Sequence, residues 1–295
     1  MTDRTSNKTF GNAGTRSGRS APAALSAPPP SALPSRKRHL SLAFFAGNII
    51  FLIVAFRVLD VNPLLLFTDF HYIIDLLGEM LPPALDLLWK QPRVWQSIGE
   101  TFAMAFLSTV IGGLLAFVLA FLSARNTAPI PWLRIPFRIF LGALRAAPDF
   151  AIMLVVVVAV GFGPFAGTLA LVIGSTGMFG KLFADAVEQI DARITEGLWA
   201  VGASRAQVIR YGVIPQVLPS FVANALYLFE INLGGAVALG VFGGGGLGFA
   251  LHIANSTLNY PEMLAYILVI VAMVTVTEKC SDYLRRRLFA LDARA

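Results

Sequence analysis

The side chains with the greatest chemical potential in this sequence are polar groups placed inside long apolar stretches. Arg145 and Asp149 lie four residues apart, with Pro148 between them, and Glu230 and Asn232 interrupt a later apolar run. On a continuous helix, residues at i and i+4 share one face. Ionisable residues in membrane-spanning segments are costly and usually face a cavity or a charged partner. The spacing therefore predicts either a kink held by an Arg145–Asp149 pair or part of a polar pathway, and both interpretations stay open.

Glu230 differs from this pair because no basic residue lies near it in the sequence. We expect it to face a pore, or to pair with another helix or with a second subunit. A carboxylate is a poor receptor for an anion, so a gate or a subunit contact suits Glu230 better than a substrate contact.

Nothing in the sequence indicates enzyme, metal or cofactor chemistry. The three histidines (His39, His71 and His252) are far apart, and the single cysteine, Cys280, excludes an internal disulfide and a cysteine-based metal cluster. Gly243–Gly248 has the spacing G-x-G-x-x-G but lacks the strand and the downstream acid of a dinucleotide site. Because the sequence contains no G-x-x-x-x-G-K-S/T segment, we do not expect this chain to bind ATP.

Composition places this chemistry in a membrane. The chain has 295 residues, of which 56% are apolar and 14% charged, and its mean hydropathy is +0.71. Soluble domains average about 25% charged residues, so this protein cannot cover itself with polar surface. At about 20 residues per apolar helix, the length accommodates about six spans. We predict an all-α, polytopic membrane protein.

Four regions are predicted along the chain. Residues 1–38, rich in Ser, Ala, Pro and Arg, form a disordered cytoplasmic tail, and residues 39–59 form the first transmembrane helix. Residues 60–100 form a periplasmic segment with interfacial tryptophans. Residues 101–290 form a five-helix core. Its spans are predicted, in order, over 101–124, 133–160, 165–190, 211–229 and 261–283.

The basic residues predict the orientation of these spans. Eighteen lysines and arginines fall on one side, and only Arg57, Lys90 and Arg93 fall on the other. Because cytoplasmic loops are enriched in basic residues, both termini and the loop 191–213 are assigned to the cytoplasm. The net charge of +6 is thus explained by topology, and no nucleic-acid partner is predicted.

The loop between the fourth and fifth predicted spans is the most informative segment. It contains two short helical pieces that are predicted to break at Gly202, where a positive φ is tolerated. Ser204 is positioned to cap the second piece, and Pro215 to occupy the first turn of the next span. The local pattern suits either a docking surface or a solvated connector, and it leaves both open.

At this loop the sequence resembles a known family. Glu196, Gly202 six residues later, and Ile214–Pro215 match the cytoplasmic EAA loop of ABC-importer permeases, which forms coupling helices that seat in a groove of the partner ATPase. The resemblance is to the phosphonate ABC-transporter permease subunit and covers about residues 95–290. It rests on five segments: Arg145–Asp149, Val160–Gly167, Gly202–Pro219, Phe229–Asn232 and Gly243–Gly248.

The resemblance implies a type I ABC-importer permease fold in the bacterial inner membrane. The implied function is ATP-driven import of a phosphonate, phosphite or phosphate, with no catalysis and no cofactor in this chain. The implied partners are a second permease subunit (a second copy or a paralogue), a cytoplasmic ABC ATPase dimer, a periplasmic or lipid-anchored substrate-binding protein, and membrane lipid. The alternatives are the same machine with another small oxyanion or an amino acid as cargo and, in a different class, a stand-alone carrier or channel.

The resemblance also implies two groups of site residues. The ATPase-coupling loop contributes Glu196, Gly202, Ala203, Ser204, Arg205 and Pro215. The candidate pathway or gate contains Arg145, Asp149, Ser175, Thr176, Glu230 and Asn232. The sequence departs from the family pattern at Gly197–Leu198, where Ala-Ala is expected, and at Asp149, where Glu is more usual.

Overall fold

The structure, a computed structural model, describes residues 35–59 and 68–292, and the side chains of residues 39–59 and 68–287. Every regular element in this part of the chain is helical. We number the helices α1 (Ser35–Val58), α2 (Phe70–Met80), α3 (Leu87–Lys90), α4 (Pro92–Ser123), α5 (Arg134–Ala146), α6 (Asp149–Val160), α7 (Pro164–Glu188), α8 (Ala192–Ala200), α9 (Arg205–Val208), α10 (Ile214–Leu239), α11 (Gly246–Ser256) and α12 (Tyr260–Asp292).

Helix α1 belongs to a unit of its own, residues 1–68, and is described by itself. It begins at Ser35, before the predicted start at residue 39. Its segment His39–Val58 is long and apolar enough to span a membrane. Residues 1–34 of the predicted tail, and residues 60–67 of the predicted periplasmic segment, lie outside the described residues.

The second unit, residues 69–295, contains the other described helices. Four of its helical segments are long and apolar enough to cross a membrane: Pro92–Ser123, Pro164–Glu188, Arg205–Gly244 and Tyr260–Arg287. The bent pair of α5 and α6 is one more candidate if it is counted as a single span. With α1, the described residues contain five or six candidate spans, which confirms the prediction of about six.

Helix α4 begins at Pro92, before the predicted start of the second span at residue 101. Proline is tolerated in the first turn of a helix because no main-chain donor is needed there. In the next turns Gln96 Nε2 donates to Glu100 Oε1 at 2.8 Å, a contact between residues one helical turn apart. The uncharged run therefore begins only after the last charged residue of the segment, Glu100, whereas the helix itself begins about two turns earlier, at Pro92.

The core is built on α4 and α7, which pack together along small residues. In lipid, small side chains allow helix backbones to approach closely and gain van der Waals contact. At Gly112 of α4, an added Cβ would lie 2.9 Å from the Cβ of Ser175 on α7. Helices α5, α6 and α10 also pack against α7, which is thus the central scaffold. The buried small residues of α4 and α7 include Ala105, Gly112, Ala116, Ala120, Ala166, Ala170, Gly177 and Gly180.

The predicted third span, over 133–160, is sharply bent at Pro148, where the sequence allows a kink. The structure has two helices there, α5 and α6, bent by 92°. Ala147, between them, is extended with ψ at 128°, because a residue that precedes a proline is disfavoured in the α region. Arg145 and Asp149 therefore lie on different helices and not on one common face.

The fifth span begins earlier than the predicted residue 211. The helix runs without a break from Arg205, through a π-helical turn at Ile209–Val213, into α10. Pro215 lies in the first turn of α10, as predicted, but the span itself begins earlier, at Arg205. The wider π-helical turn directly before Pro215 accommodates a residue that has no main-chain N–H to donate.

At the far end of α10 the chain turns back through Gly240–Gly244, which contains non-helical residues, and enters α11. Two side chains of α4 accept the first main-chain N–H groups of α11. Glu100 accepts from Gly246 at 3.1 Å, and Thr101 accepts from Leu247 at 2.8 Å. A neighbouring helix thus satisfies the donors that an N-cap residue would otherwise satisfy.

Candidate functional site

A cavity of about 280 Å³ lies at the bend between α5 and α6. Four of the six predicted pathway residues line it: Arg145, Asp149, Ser175 and Asn232. They come from α5, α6, α7 and α10, so the bend brings together residues that are far apart in the sequence. The rest of the lining is mainly apolar and includes Leu144, Pro148, Leu171, Met178, Leu228 and Ile231.

A chain of hydrogen bonds connects the cavity wall to the core. Ser175 Oγ donates to Asn232 Oδ1 at 2.9 Å, and Asn232 Nδ2 donates to Thr109 Oγ1 at 3.0 Å. Thr109 in turn donates to the main-chain oxygen of Ala105 at 2.7 Å. Ser175 and Asn232 are buried, and this network satisfies their polar atoms, as buried polar groups require. Thr109 is a functional candidate that the sequence analysis missed.

Arg145 and Asp149 are exposed to the cavity and are held apart by the bend. Among the described residues, neither of them forms an ion pair, so the hypothesis of a kink held by their pairing has no support. The carboxylate of Asp149 and the backbone at Arg145 pack instead on glycines of α7. An added Cβ at Gly174 would overlap the carboxylate of Asp149, and one at Gly177 would lie 2.6 Å from the main-chain nitrogen of Arg145.

Two predicted pathway residues lie outside the cavity lining. Thr176 is buried and its hydroxyl donates to the main-chain oxygen of Val172 at 2.7 Å. Glu230 faces Arg285 of α12, with 3.6 Å between Oε1 and Nη2. Of the interpretations left open for Glu230, the structure thus contains the pairing with another helix.

The predicted break at Gly202 is present between α8 and α9. Gly202 has φ at +81°, a region that residues with a Cβ rarely adopt. Its N–H donates to the oxygen of Trp199 at 3.0 Å, and the N–H of Ala203 donates to the oxygen of Leu198 at 3.1 Å. This pair of bonds is the Schellman arrangement that ends a helix at a glycine. Ser204 then occupies the N-cap of α9.

The rest of the loop is held at both ends. At the start of α8, Arg193 donates to the carboxylate of Asp191 at 2.9 Å and so holds the pKa of Asp191 below its ordinary value. The main-chain N–H of Asp191 donates to Gln216 Oε1 at 3.0 Å. At the start of α9, Arg205 donates to the main-chain oxygens of Thr127, Ala128 and Pro129 in the turn between α4 and α5.

Between these ends, α8 presents apolar side chains to the surface. Ile194, Trp199 and Val201 are exposed, and Val201 is 80% exposed. Glu196 is exposed beside them. A compact, rigidly held element with uncovered apolar side chains is suited to contact another protein.

A second cavity, of about 440 Å³, lies between α4, α11 and α12 and was not predicted. Its lining includes Arg93, Glu100 and Glu262. The charged side chains in this lining are thus one basic and two acidic. Within residues 35–59 and 68–292, no three His, Cys, Asp or Glu side chains gather as a metal site would require.

Sequence comparisons identify the relatives of this chain. Residues 112–290 match the family described as "Binding-protein-dependent transport system inner membrane component". The putative phosphite transport system permease protein HtxC of Stutzerimonas stutzeri is 36% identical over 250 residues, which cover 85% of this chain and 87% of that protein. The phosphate-import permease protein PhnE of Mycolicibacterium smegmatis is 37% identical over 236 residues, which cover 80% of this chain but only 44% of that protein.

Solved structures show the same fold. The MetNI methionine ABC transporter in an inward-facing conformation matches with a TM-score of 0.58 and 22% identity, covering 68% of this chain and 99% of that chain. A bacterial alginate ABC transporter in complex with a pentasaccharide-bound periplasmic protein matches with a TM-score of 0.57 and 13% identity, covering 85% and 96%. By its family match and its relatives, the chain belongs to the inner-membrane components of binding-protein-dependent transport systems, the permease subunits of ABC importers.

Proposed function

We propose that this chain is the permease subunit that moves a phosphonate, phosphite or phosphate from a periplasmic binding protein into the cytoplasm. The observation that carries the proposal is the 36% identity to a phosphite permease over 85% of the chain. ATP hydrolysis belongs to a separate partner chain, an ABC ATPase dimer in the cytoplasm. The chain itself switches between inward- and outward-open states as the ATPases close and reopen.

The cavity at the α5–α6 bend supports an oxyanion as cargo. Arg145 is the one cation in its lining, and a guanidinium matches the geometry of phosphoryl oxygens. Asp149, on the other side of the bend, repels an anion and so disfavours a tight resting complex. This combination suits a pathway, in which a substrate must enter and also leave, better than it suits a storage site. Ser175 and Asn232 add neutral polar groups.

The exposed side chains of α8 and its C-cap, among them Ile194, Glu196, Trp199 and Val201, support ATPase docking. The Gly202 turn and the Arg205 contacts hold this helix in a fixed position relative to the core. We place it, with both chain termini, in the cytoplasm, because the basic residues are concentrated on that side. A second permease subunit, either another copy or a paralogue, completes the pathway where Arg145 and Asp149 are exposed.

The test is purification in mild detergent from the native host, followed by reconstitution with the chains that co-elute. We expect an ABC ATPase to co-elute, and uptake into proteoliposomes to require ATP and a binding protein that responds to phosphonate, phosphite or phosphate. Methionine and sulfate serve as control cargoes. Uptake of methionine alone would replace the oxyanion by an amino acid. An intact, transport-competent chain that never co-purifies with an ATPase would support a stand-alone carrier.

A further inference from the structure

Arg205 makes an unusual contact for a residue of an exposed loop. Its Nη1 donates to the oxygen of Pro129 at 3.0 Å, its Nη2 donates to the oxygen of Thr127 at 3.1 Å, and Nη2 also meets the oxygen of Ala128. These three consecutive carbonyls lie in the turn between α4 and α5, more than 70 residues earlier in the chain. The planar guanidinium presents several donors in a fixed geometry, which a lysine cannot reproduce.

The α4–α5 turn, which Arg205 contacts, is also hydrogen-bonded to the end of α7. The main-chain N–H of Arg125 donates to Glu188 Oε1 at 3.0 Å. The side chain of Asn126 donates to the main-chain oxygen of Val187 at 2.6 Å. The α4–α5 turn and the last residues of α7 are therefore joined independently of Arg205.

Helix α5 is also hydrogen-bonded to the end of α7. Arg138 donates to Glu188 Oε1 at 3.0 Å and lies 3.3 Å from Asp185 Oδ1. Glu188 thus holds both the α4–α5 turn and the first part of α5, and its carboxylate is mostly shielded, with 20% of the side chain exposed. The turn and α5 are expected to move as one block, because partly buried charge pairs are screened less than exposed ones.

The coupling loop has three routes to the cavity as a result. Two are covalent, because α7, which carries Ser175, leads into the loop and α9 continues into α10, which carries Asn232. The third is non-covalent and runs from Arg205 through the α4–α5 turn to α5, which carries Arg145. All three routes end on the cavity lining.

We propose that Arg205 is a positioning residue that transmits displacement of the coupling loop to α5, so that Arg145 and Asn232 move together during each transport cycle. The proposal rests on the proposed function, because an ATPase must supply the displacement. Without Arg205, the loop would still dock and α10 would still move, but α5 would be linked to the loop only through Glu188 at the end of α7 and would follow less completely. ATP hydrolysis would then continue without effective transport.

The experiment compares Arg205→Ala and Arg205→Lys with Arg286→Ala, an exposed arginine of α12 that serves as the matched loss of charge. Each variant is reconstituted with the co-purified ATPase and binding protein, and uptake and ATP hydrolysis are measured on the same vesicles. For Arg205→Ala we expect uptake to fall about tenfold while hydrolysis stays within about twofold, a change within the usual range of coupling free energies. Arg205→Lys should be intermediate, and Arg286→Ala should match the wild type.

A second measurement needs no ATPase. A spin label on Ile130→Cys, in a Cys280→Ser background, reports the mobility of the α4–α5 turn, because Ile130 is exposed there. We expect Arg205→Ala to mobilise this label and Arg286→Ala to leave it unchanged. Unchanged label mobility, or wild-type uptake by Arg205→Ala, would overturn the proposal.

Two further outcomes separate this proposal from the function on which it rests. If Arg205→Ala loses ATPase assembly together with uptake, Arg205 belongs to the docking surface and the transmission role is wrong. If the wild-type chain binds no ATPase at all, the proposed function fails and the transmission role fails with it. A coupled wild type with a fully active Arg205→Ala refutes the transmission role alone.

Discussion

Two segments of this protein contain prolines in apolar helices and respond to them in opposite ways. At Pro148 the chain bends by 92° between α5 and α6. At Pro215 and Pro219 the helix continues without a break from α9 into α10. The bent segment carries Arg145 and Asp149 into the cavity, and the continuous segment joins the coupling loop to Asn232.

The difference arises from what surrounds each proline. Before Pro215, the π-helical turn Ile209–Val213 widens the helix, and the side chain of Gln216 donates to the main-chain oxygen of Gly212 at 2.6 Å. Before Pro148, Ala147 leaves the helical region, and the bent backbone finds room against α7. A proline therefore ends a helix where the neighbouring helix leaves room for the bent chain. The helix continues through a proline where a π-helical turn before it widens the backbone.

We propose that this contrast separates two roles, a gate and a transmitter of motion. A bend that opens a polar cavity suits a gate, because small changes at a hinge move the attached helix through large distances. A continuous helix suits transmission, because it carries a displacement along its length with little loss.

The largest effect on stability and uptake is expected at Gly177 of α7, which packs against the backbone of α5 next to the bend. In Gly177→Ala, the new Cβ would lie 2.6 Å from the main-chain nitrogen of Arg145, so α5 must move away from α7. We expect a loss of about 1–3 kcal/mol in the free energy of unfolding, as for other overpacked cores, together with loss of uptake. Thermal unfolding in detergent and uptake into vesicles measure the two effects.

Gly142→Ala is the matched control, because Gly142 lies in the middle of α5 with open space where a Cβ would be placed. Alanine in place of glycine within a helix stabilises by up to about 1 kcal/mol. The two variants are therefore expected to change stability in opposite directions. Equal shifts in the unfolding temperature would show that the α5–α7 contact does not depend on Gly177.

The next largest effect on transport is expected at Gly202, in the turn directly before the continuous segment. Gly202→Val places a β-branched residue at a φ of +81°, which costs about 1–2 kcal/mol for residues other than glycine. We expect the turn between α8 and α9 to open, and transport and stimulated ATP hydrolysis to be lost while the protein still inserts. Gly142→Val, within α5 and facing open space outside the coupling loop, is the control. Normal uptake by Gly202→Val would refute a coupling role for this turn.

A smaller effect is expected from the prolines themselves. Pro148→Ala restores a main-chain donor at the bend and lowers the cost of a straight α5–α6 helix, whereas packing on Gly177 still favours the bend. We expect uptake to fall about fivefold, equivalent to about 1 kcal/mol of coupling. Pro215→Ala should stay within about twofold of the wild type, because its helix is already continuous. A larger loss for Pro215→Ala than for Pro148→Ala would reverse the assignment of hinge and transmitter.

The outcome at these prolines shows how far the sequence alone can describe the fold. Apolar runs of about 20 residues predict spans because lipid leaves the backbone few alternatives to helix. The local sequence does not distinguish Pro148 from Pro215, because both follow an apolar helix-forming stretch. Their difference depends on Gly174 and Gly177 of α7, which meet the bend only in the folded chain.

The candidate site was predictable to a similar degree. Arg145, Asp149 and Asn232 can be picked out from the sequence because polar residues within an apolar span are costly and usually line a cavity or contact a partner. Thr109 does not, because a threonine within a helix usually bonds its own backbone, as Thr109 does to Ala105. Its second bond, to Asn232, joins residues 123 positions apart and follows from the packing of α4 on α10.

The smallest effect on transport is expected at Glu230, on the face of α10 that contacts α12. Glu230 lies 3.6 Å from Arg285, and Arg285 also has Asp282 at 3.9 Å. Glu230→Gln removes one of two acids beside Arg285, whose Nε and Nη2 are buried, so we expect a loss of about 1–3 kcal/mol in unfolding free energy. Uptake should change little, because Glu230 does not line the cavity.

A double-mutant cycle with Arg285→Met distinguishes pairing from a pathway role. If the two residues stabilise each other, the combined variant recovers part of the stability that each single variant loses, because no charge is then left without its partner. If Glu230 acts in the pathway, Glu230→Gln lowers uptake at unchanged stability, and Arg285→Met does not restore it. The second pattern would place the route of the substrate on both faces of α10. The continuous segment from α9 to α10 would then line the pathway as well as transmit the motion of the coupling loop.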